Sequence, residues 1–249
     1  MQPMPPWLIL LCRMALLVLI PVVLTLTNVR LLMTPLFPNI EYNLPYFPDD
    51  FYGFTKAHRL YWSQRSIDYI LSDPRVGKIE AWKFSEDGIS PAGTQAPPES
   101  CPTYGAHYGP RDCSYFYNDR EVKHMLDVQI VTRGALTVWA VASLIVLASG
   151  LTLFFTGERL ALRGALLSGV GITLVIYIGL ILYLAINFDQ LFVQFHQVFF
   201  EGGTWMFLWS DSLIRLFPVT FWRDAFIFIG AASLVEAGVV GAWAWFGIK

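Results

Sequence analysis

Charge is scarce in this chain. Asp, Glu, Lys and Arg make up 14% of the 249 residues while 55% are hydrophobic, too little charge to cover an ordinary soluble domain. The net charge is −2 and no basic stripe is available to neutralise phosphates, which excludes nucleic acid as a partner. Internal repeats are absent. So is any HExxH-type spacing of metal ligands. There are only three cysteines and four histidines, so each can be weighed singly.

The apolar surplus, reflected in a positive mean hydropathy, is gathered into long runs, and about 20 apolar residues cross a bilayer. The first run extends over residues 7–32, interrupted by Arg13 and Pro21. A cleaved signal peptide would need a basic start and a small-residue cleavage site. No charge precedes Arg13 and Leu31-Leu32-Met33 offers no such site, so a retained anchor is expected, with Arg13 reaching the headgroups. Further spans are expected over 134–155, 164–186 and 225–249. The predicted fold is therefore an α-helical integral membrane protein: four transmembrane helices with a small mixed α/β extracytoplasmic domain, residues 33–133, between helices 1 and 2.

The loop 156–163 carries Arg159 and Arg163. By the positive-inside rule it is cytoplasmic, which puts both termini in the cytoplasm and segments 33–133 and 187–224 outside, on a bacterial inner membrane. Within the spans, Glu236 is either a protonated carboxyl bonded to a neighbouring helix or a proton-handling group. Gly164, Gly169, Gly171, Gly179, Gly238 and Gly241 are expected to let helices approach closely.

In the outer segments, residues 60–71 read as a helix and 78–84 as a weak strand. The Pro/Gly/Ser-rich stretch 88–110 reads as a loop. Cys101 and Cys113 bracket its latter part. In an oxidising compartment they could form a disulfide contributing about 3 kcal/mol, or be two unrelated thiols. Asn118 is a candidate N-cap for a helix carrying Glu121, His124 and Asp127, with Glu121 and His124 on one side. Residues 188–200 are too polar to span and too apolar for a free loop, and place His196 between Phe195 and Phe199 at the interface. After Glu201 and a Gly202-Gly203-Thr204-Trp205 break, Ser210 or Asp211 opens a short helix holding Arg215. His58 and His107 read as surface residues. His196 is either a packed, carbonyl-satisfied ring or a base kept neutral by partial desolvation.

The pattern Glu121-x-x-His124-Met-x-Asp127-Val128, followed by Phe195-His196-Gln-Val-Phe199-Phe200, Trp205, Ser210-Asp211-Ser-Leu-Ile-Arg215-Leu-Phe-Pro218 and Phe221, resembles the lipoprotein intramolecular transacylase family. The resemblance covers most of the chain from Asn118 onward. It implies transfer of the sn-2 acyl chain of a diacylated bacterial lipoprotein to the α-amine of its N-terminal cysteine, giving the lyso-form, with His124 and His196 as the catalytic pair. It implies a lipoprotein substrate; membrane lipid is a further expected partner, and no cofactor, no metal and a monomer are expected. Glu121, Asp127 and Asp211 are the candidates to orient bases or amine. The Gly202-Gly203 amides, the Trp205 indole and Arg215 are the candidates to stabilise an oxyanion. Two departures stand out: the cysteine-bracketed loop looks added, and Glu201 would raise the His196 pKa if the two approached. The alternatives are a metal-dependent membrane hydrolase using His124, His196, Glu121 and Asp127 or Asp211, and a non-enzymatic four-span scaffold or sensor.

Overall fold

The structure, a computed structural model, describes residues 4–248 except 102, 103, 106, 108 and 110. Its elements are α1 (Pro6–Leu32), α2 (Leu36–Glu41), α3 (Lys56–Ile70), α4 (Asp119–Phe155), α5 (Arg159–Phe199), α6 (Ser212–Leu216) and α7 (Val219–Ala242), the last continued by a π turn over Trp243–Gly247. Among the described residues four helices are long and apolar enough to cross a membrane: α1, α4, α5 and α7 with its π turn. The 27 residues of α1 rise about 40 Å at 1.5 Å each, enough for a hydrocarbon layer of roughly 30 Å.

The chain divides into two compact units. One comprises residues 1–31, 134–188 and 226–249, the other 32–133 and 189–225. The first is the helical bundle. Leu10, Val18, Leu144, Val175 and Val235 are exposed on it, as lipid contact requires and water would not favour. Inside, α1 is bonded to each of the other long helices. Thr25 Oγ1 accepts from Tyr177 Oη of α5 at 2.6 Å, Thr27 Oγ1 accepts from Trp139 Nε1 of α4 at 3.0 Å, and Asn28 Nδ2 donates to Ser233 Oγ and Glu236 Oε2 of α7 at 3.1 and 2.9 Å. Glu236 is thus bonded to a neighbouring helix. Of the glycines expected to admit close packing, Gly169 does so: a Cβ there would lie 2.9 Å from Ile20 Cδ1 and 3.1 Å from the Leu16 carbonyl. Gly241 lies against Val170, whereas Gly164, Gly171, Gly179 and Gly238 face open space.

The second unit is built on an aromatic core of Tyr42, Trp62, Trp82, Phe84, Phe116 and Tyr117, with Trp62 and Phe116 stacked at 3.8 Å. It holds no sheet among the described residues, so the mixed α/β expectation is corrected. Over residues 78–84 the chain forms 3-10 turns at Ile79–Ala81 and, from Phe84, Phe84–Asp87, leaving one isolated bridge between Lys83 and Tyr115. The reason is side-chain anchoring. Ile79, Trp82 and Phe84 are all buried, a spacing no strand can turn to one face, and Glu86 Oε1 caps the Lys83 amide to start the second turn. His58 is also corrected: it is buried at the third position of α3, where its Nδ1 accepts from the Thr55 amide at 3.0 Å. His107 is exposed.

Cys101 and Cys113 form a disulfide, with Cα atoms 5.5 Å apart. The loop it closes is fastened further. Ala96 donates its amide to the Cys113 carbonyl, Ser100 Oγ donates to Ser210 Oγ at 2.8 Å, and Arg111 Nη1 meets Asp119 Oδ1 at 3.0 Å with both side chains buried.

Candidate active site

Asn118 caps α4: its Oδ1 accepts from the Arg120 and Glu121 amides, each at 3.1 Å. Glu121 completes a reciprocal capping box, its Oε2 accepting from the Asn118 amide at 2.7 Å. The other oxygen accepts from the Leu213 amide of α6 at 2.6 Å. Glu121 therefore fastens the start of α6 to the start of α4. Burial, then the charge of Asp211, push its carboxyl up to about 8 against the pull of those two amides.

Residues 119–133 and 189–199, the parts of α4 and α5 that belong to the second unit, lie outside the stretches expected to cross the membrane. Each supplies one histidine. A turn after Glu121, His124 is buried, edge-on to Phe200 at 4.8 Å and Phe207 at 5.3 Å. Its ring runs nearly parallel to that of His196, with centroids 6.2 Å apart and planes 21° from parallel. Burial, then the charge of His196, lower the His124 pKa to about 4. Its Nδ1 is buried and has no hydrogen-bond partner.

His196 is reached through a break in α5 at Asn187, whose backbone leaves the helical region at φ −157°, ψ 81°. Its Nδ1 lies 2.8 Å from the Phe192 carbonyl oxygen. A carbonyl only accepts, so Nδ1 carries the hydrogen and Nε2 keeps a lone pair. Phe192 at 4.1 Å and Trp205 at 4.8 Å flank the ring. Burial lowers the His196 pKa against the opposing effect of the Phe192 carbonyl. Both imidazoles are thus held neutral in an aromatic enclosure, the state in which each can take up a proton.

A model of the family described as lipoprotein intramolecular transacylase Lit matches residues 9–222. The chain belongs to that family. As one of these transacylases it is an enzyme, an acyltransferase of lipoprotein maturation carried in a membrane. Its fold is also that of solved structures of the membrane-integral lipoprotein intramolecular transacylase Lit from Bacillus cereus. One matches with a TM-score of 0.71 at 18% identity over 97% of this chain and 96% of that one. A single-residue variant matches at 0.64 and 17% identity over 96% and 91%. An uncharacterised protein of Aquifex aeolicus (strain VF5) is 25% identical over 225 residues, 90% of this chain and 89% of its own length.

In this transacylase several polar residues singled out from the sequence serve the scaffold around the histidines. Asp211 is fully buried and accepts from Asn118 Nδ2 at 2.9 Å, the Leu208 amide at 2.8 Å and Arg120 Nη2 at 3.2 Å. Arg215 pairs with Asp50 at 3.0 Å and lies 3.4 Å over the Phe54 ring. Asp127 is half-buried and bonds to neither imidazole, and Glu201 is exposed and forms no ion pair with His196, so the anticipated rise in the His196 pKa does not arise. Glu121 and Asp211, two of the three carboxylates offered to a metal-dependent reading, accept from backbone amides. No three His, Cys, Asp or Glu side chains converge as a metal site among the described residues.

Phe192, Phe207 and Asp50 were not singled out from the sequence. Phe192 and Phe200 sit four residues either side of His196, the helical spacing that places side chains against one another; Phe195 and Phe199, the neighbours the sequence suggested, are the more exposed pair. No local signal marks Phe207 or Asp50.

Proposed function

We propose that this transacylase moves the sn-2 acyl chain of a diacylglyceryl-modified lipoprotein to the α-amine of the protein's N-terminal cysteine, leaving a lyso-form lipoprotein. The single observation carrying this reading is the pair of buried, neutral imidazoles of His124 and His196, from segments 72 residues apart in the chain (196 less 124), facing one another at 6.2 Å. The α-amine attacks as the neutral base, its ammonium form having given one proton to solvent, and sheds a second proton as the C–N bond forms. His196 Nε2, whose tautomer the Phe192 carbonyl fixes, accepts it. The new C–N bond forms, the tetrahedral centre collapses with cleavage of the acyl C–O bond, and the proton returns through the histidine pair to the glyceryl oxygen. No net proton is consumed and no other nucleophile is needed. Both reacting groups belong to one molecule, so orientation replaces collision, an effect worth roughly 7–11 kcal/mol at its optimum.

Asp127 is a reserve orienting group for the amine. Arg159 and Arg163 support a cytoplasmic 156–163 loop, and with it the reading of an extracytoplasmic site and cytoplasmic termini in a bacterial inner membrane. That both histidines come from one chain supports a monomeric enzyme. Mass spectrometry of a reporter lipoprotein's N-terminal peptide, from cells lacking other N-acyltransferases, tests the reading. The lyso-form is expected only when this chain is expressed; an unchanged diacylglyceryl peptide removes the proposal.

A further inference from the structure

Transfer of an acyl group from ester to amine places negative charge on the carbonyl oxygen at the tetrahedral stage, and a donor must meet it. Three kinds of donor were available in the sequence around His196, and the structure separates them. Arg215 is committed: its guanidinium is closed by Asp50 and the Tyr52 carbonyl and lies over Phe54. Gly202 and Gly203 are exposed, where water screens their amides and weakens any charge they might stabilise. Trp205 is left. Its indole Nε1 is buried and has no hydrogen-bond partner, and its ring lies 4.8 Å from that of His196.

A buried N–H without an acceptor is costly to keep, and an indole nitrogen has one capacity only. It donates, never accepts, and carries no charge at any working pH. It cannot share the proton traffic of the histidines, but it can hold an oxygen beside them. The Gly203 turn, with φ +85°, brings Trp205 back toward the end of α5. Such a turn favours glycine over residues with a side chain.

We infer that Trp205 is a catalytic residue whose indole N–H donates to the carbonyl oxygen of the migrating acyl group as that oxygen becomes negative. This rests on the transacylase reading above. The amine nitrogen bonds to the carbonyl carbon, the carbonyl π pair moves onto oxygen against the indole hydrogen, and the pair returns as the bond to the glyceryl oxygen breaks. Trp205 gains and loses no atom.

The experiment uses the purified full-length enzyme and a synthetic diacylglyceryl lipopeptide. Trp205→Phe keeps an aromatic face against His196 and removes only the donor. Its kcat is expected to fall about 10²- to 10³-fold with KM within about twofold, the thermal midpoint held, and the pH profile lowered without displacement. Trp205→His, which restores a ring N–H, should recover about tenfold of that loss. A Trp205→Phe enzyme that keeps its kcat, or whose pH profile shifts because the ring merely packs His196, overturns the assignment while wild-type turnover leaves the transacylase reading standing. Should the phenyl variant not accumulate, wild-type enzyme labelled with 15N-tryptophan decides. A phosphonate mimic of the tetrahedral stage should move one of the nine indole N–H resonances downfield, and no movement in any of them overturns the assignment.

Discussion

His196 donates its Nδ1 hydrogen to the carbonyl oxygen of Phe192, 2.8 Å away and one helical turn earlier. The helix itself therefore fixes the tautomer, and no carboxylate is needed to orient the ring. The reactive nitrogen is Nε2.

His196→Asn tests this directly. Its amide can still donate to the Phe192 carbonyl, so the fold and membrane abundance should be kept, while the base is lost. Lyso-lipopeptide formation, followed by mass spectrometry, should drop by about 10²- to 10⁴-fold. A scaffold would show no change.

The pH response follows from His124. Its pKa of about 4 in the fold lies below the ordinary 6.5, so between those values the unfolded chain binds more protons than the folded one. Stability contributed by the neutral ring is complete above pH 6.5 and is lost as pH falls toward 4, to a total of about 3 kcal/mol. An NMR titration should find the His124 midpoint near 4. Thermal melts should show a smaller loss between pH 6.5 and 4 in His124→Gln than in wild type.

Arg215 and Asp50 form a buried pair, and breaking such a pair costs about 3–5 kcal/mol by leaving one charge alone. Arg215→Gln and Asp50→Asn should each lower the melting point strongly, and the double variant should cost less than their sum. Protein that remains folded should turn over normally. A catalytic role for Arg215 would instead appear as lost kcat in a stable enzyme.

Reducing the Cys101–Cys113 bridge, or replacing both residues with serine, should destabilise the second unit by about 3 kcal/mol on chain-entropy grounds. The readout is the thermal midpoint with and without reductant, and the double-serine variant should be indifferent to reductant.

The long helices were legible because lipid solvation and capping leave local marks, whereas the pairing of His124 with His196 was an expectation from the family resemblance. Runs of apolar residues write out α1, α4, α5 and α7, and Asn118, immediately before the first residue of α4, marks where that helix starts. The polar partnerships were not legible. Glu121 shares a helix turn with His124 and from spacing could have served it, yet both its oxygens are taken by amides, one of them Leu213, 92 residues away in the sequence. Arg215 likewise answers to Asp50, 165 residues before it. Distant pairings of single side chains have no period. The strand expected at 78–84 failed for a related reason: its alternation was weak, and anchoring by Trp82 and Phe84 in an aromatic core decided the backbone.

Asn28 gives the bundle a way to register its own completion. Its side-chain donors reach Ser233 and Glu236, more than two hundred residues later in the chain. Without the last helix, that amide has only the Leu24 carbonyl of its own helix to answer it. A chain lacking α7 would leave that side chain without Ser233 and Glu236, so the polar pairing of the bundle is complete only when its last helix is in place.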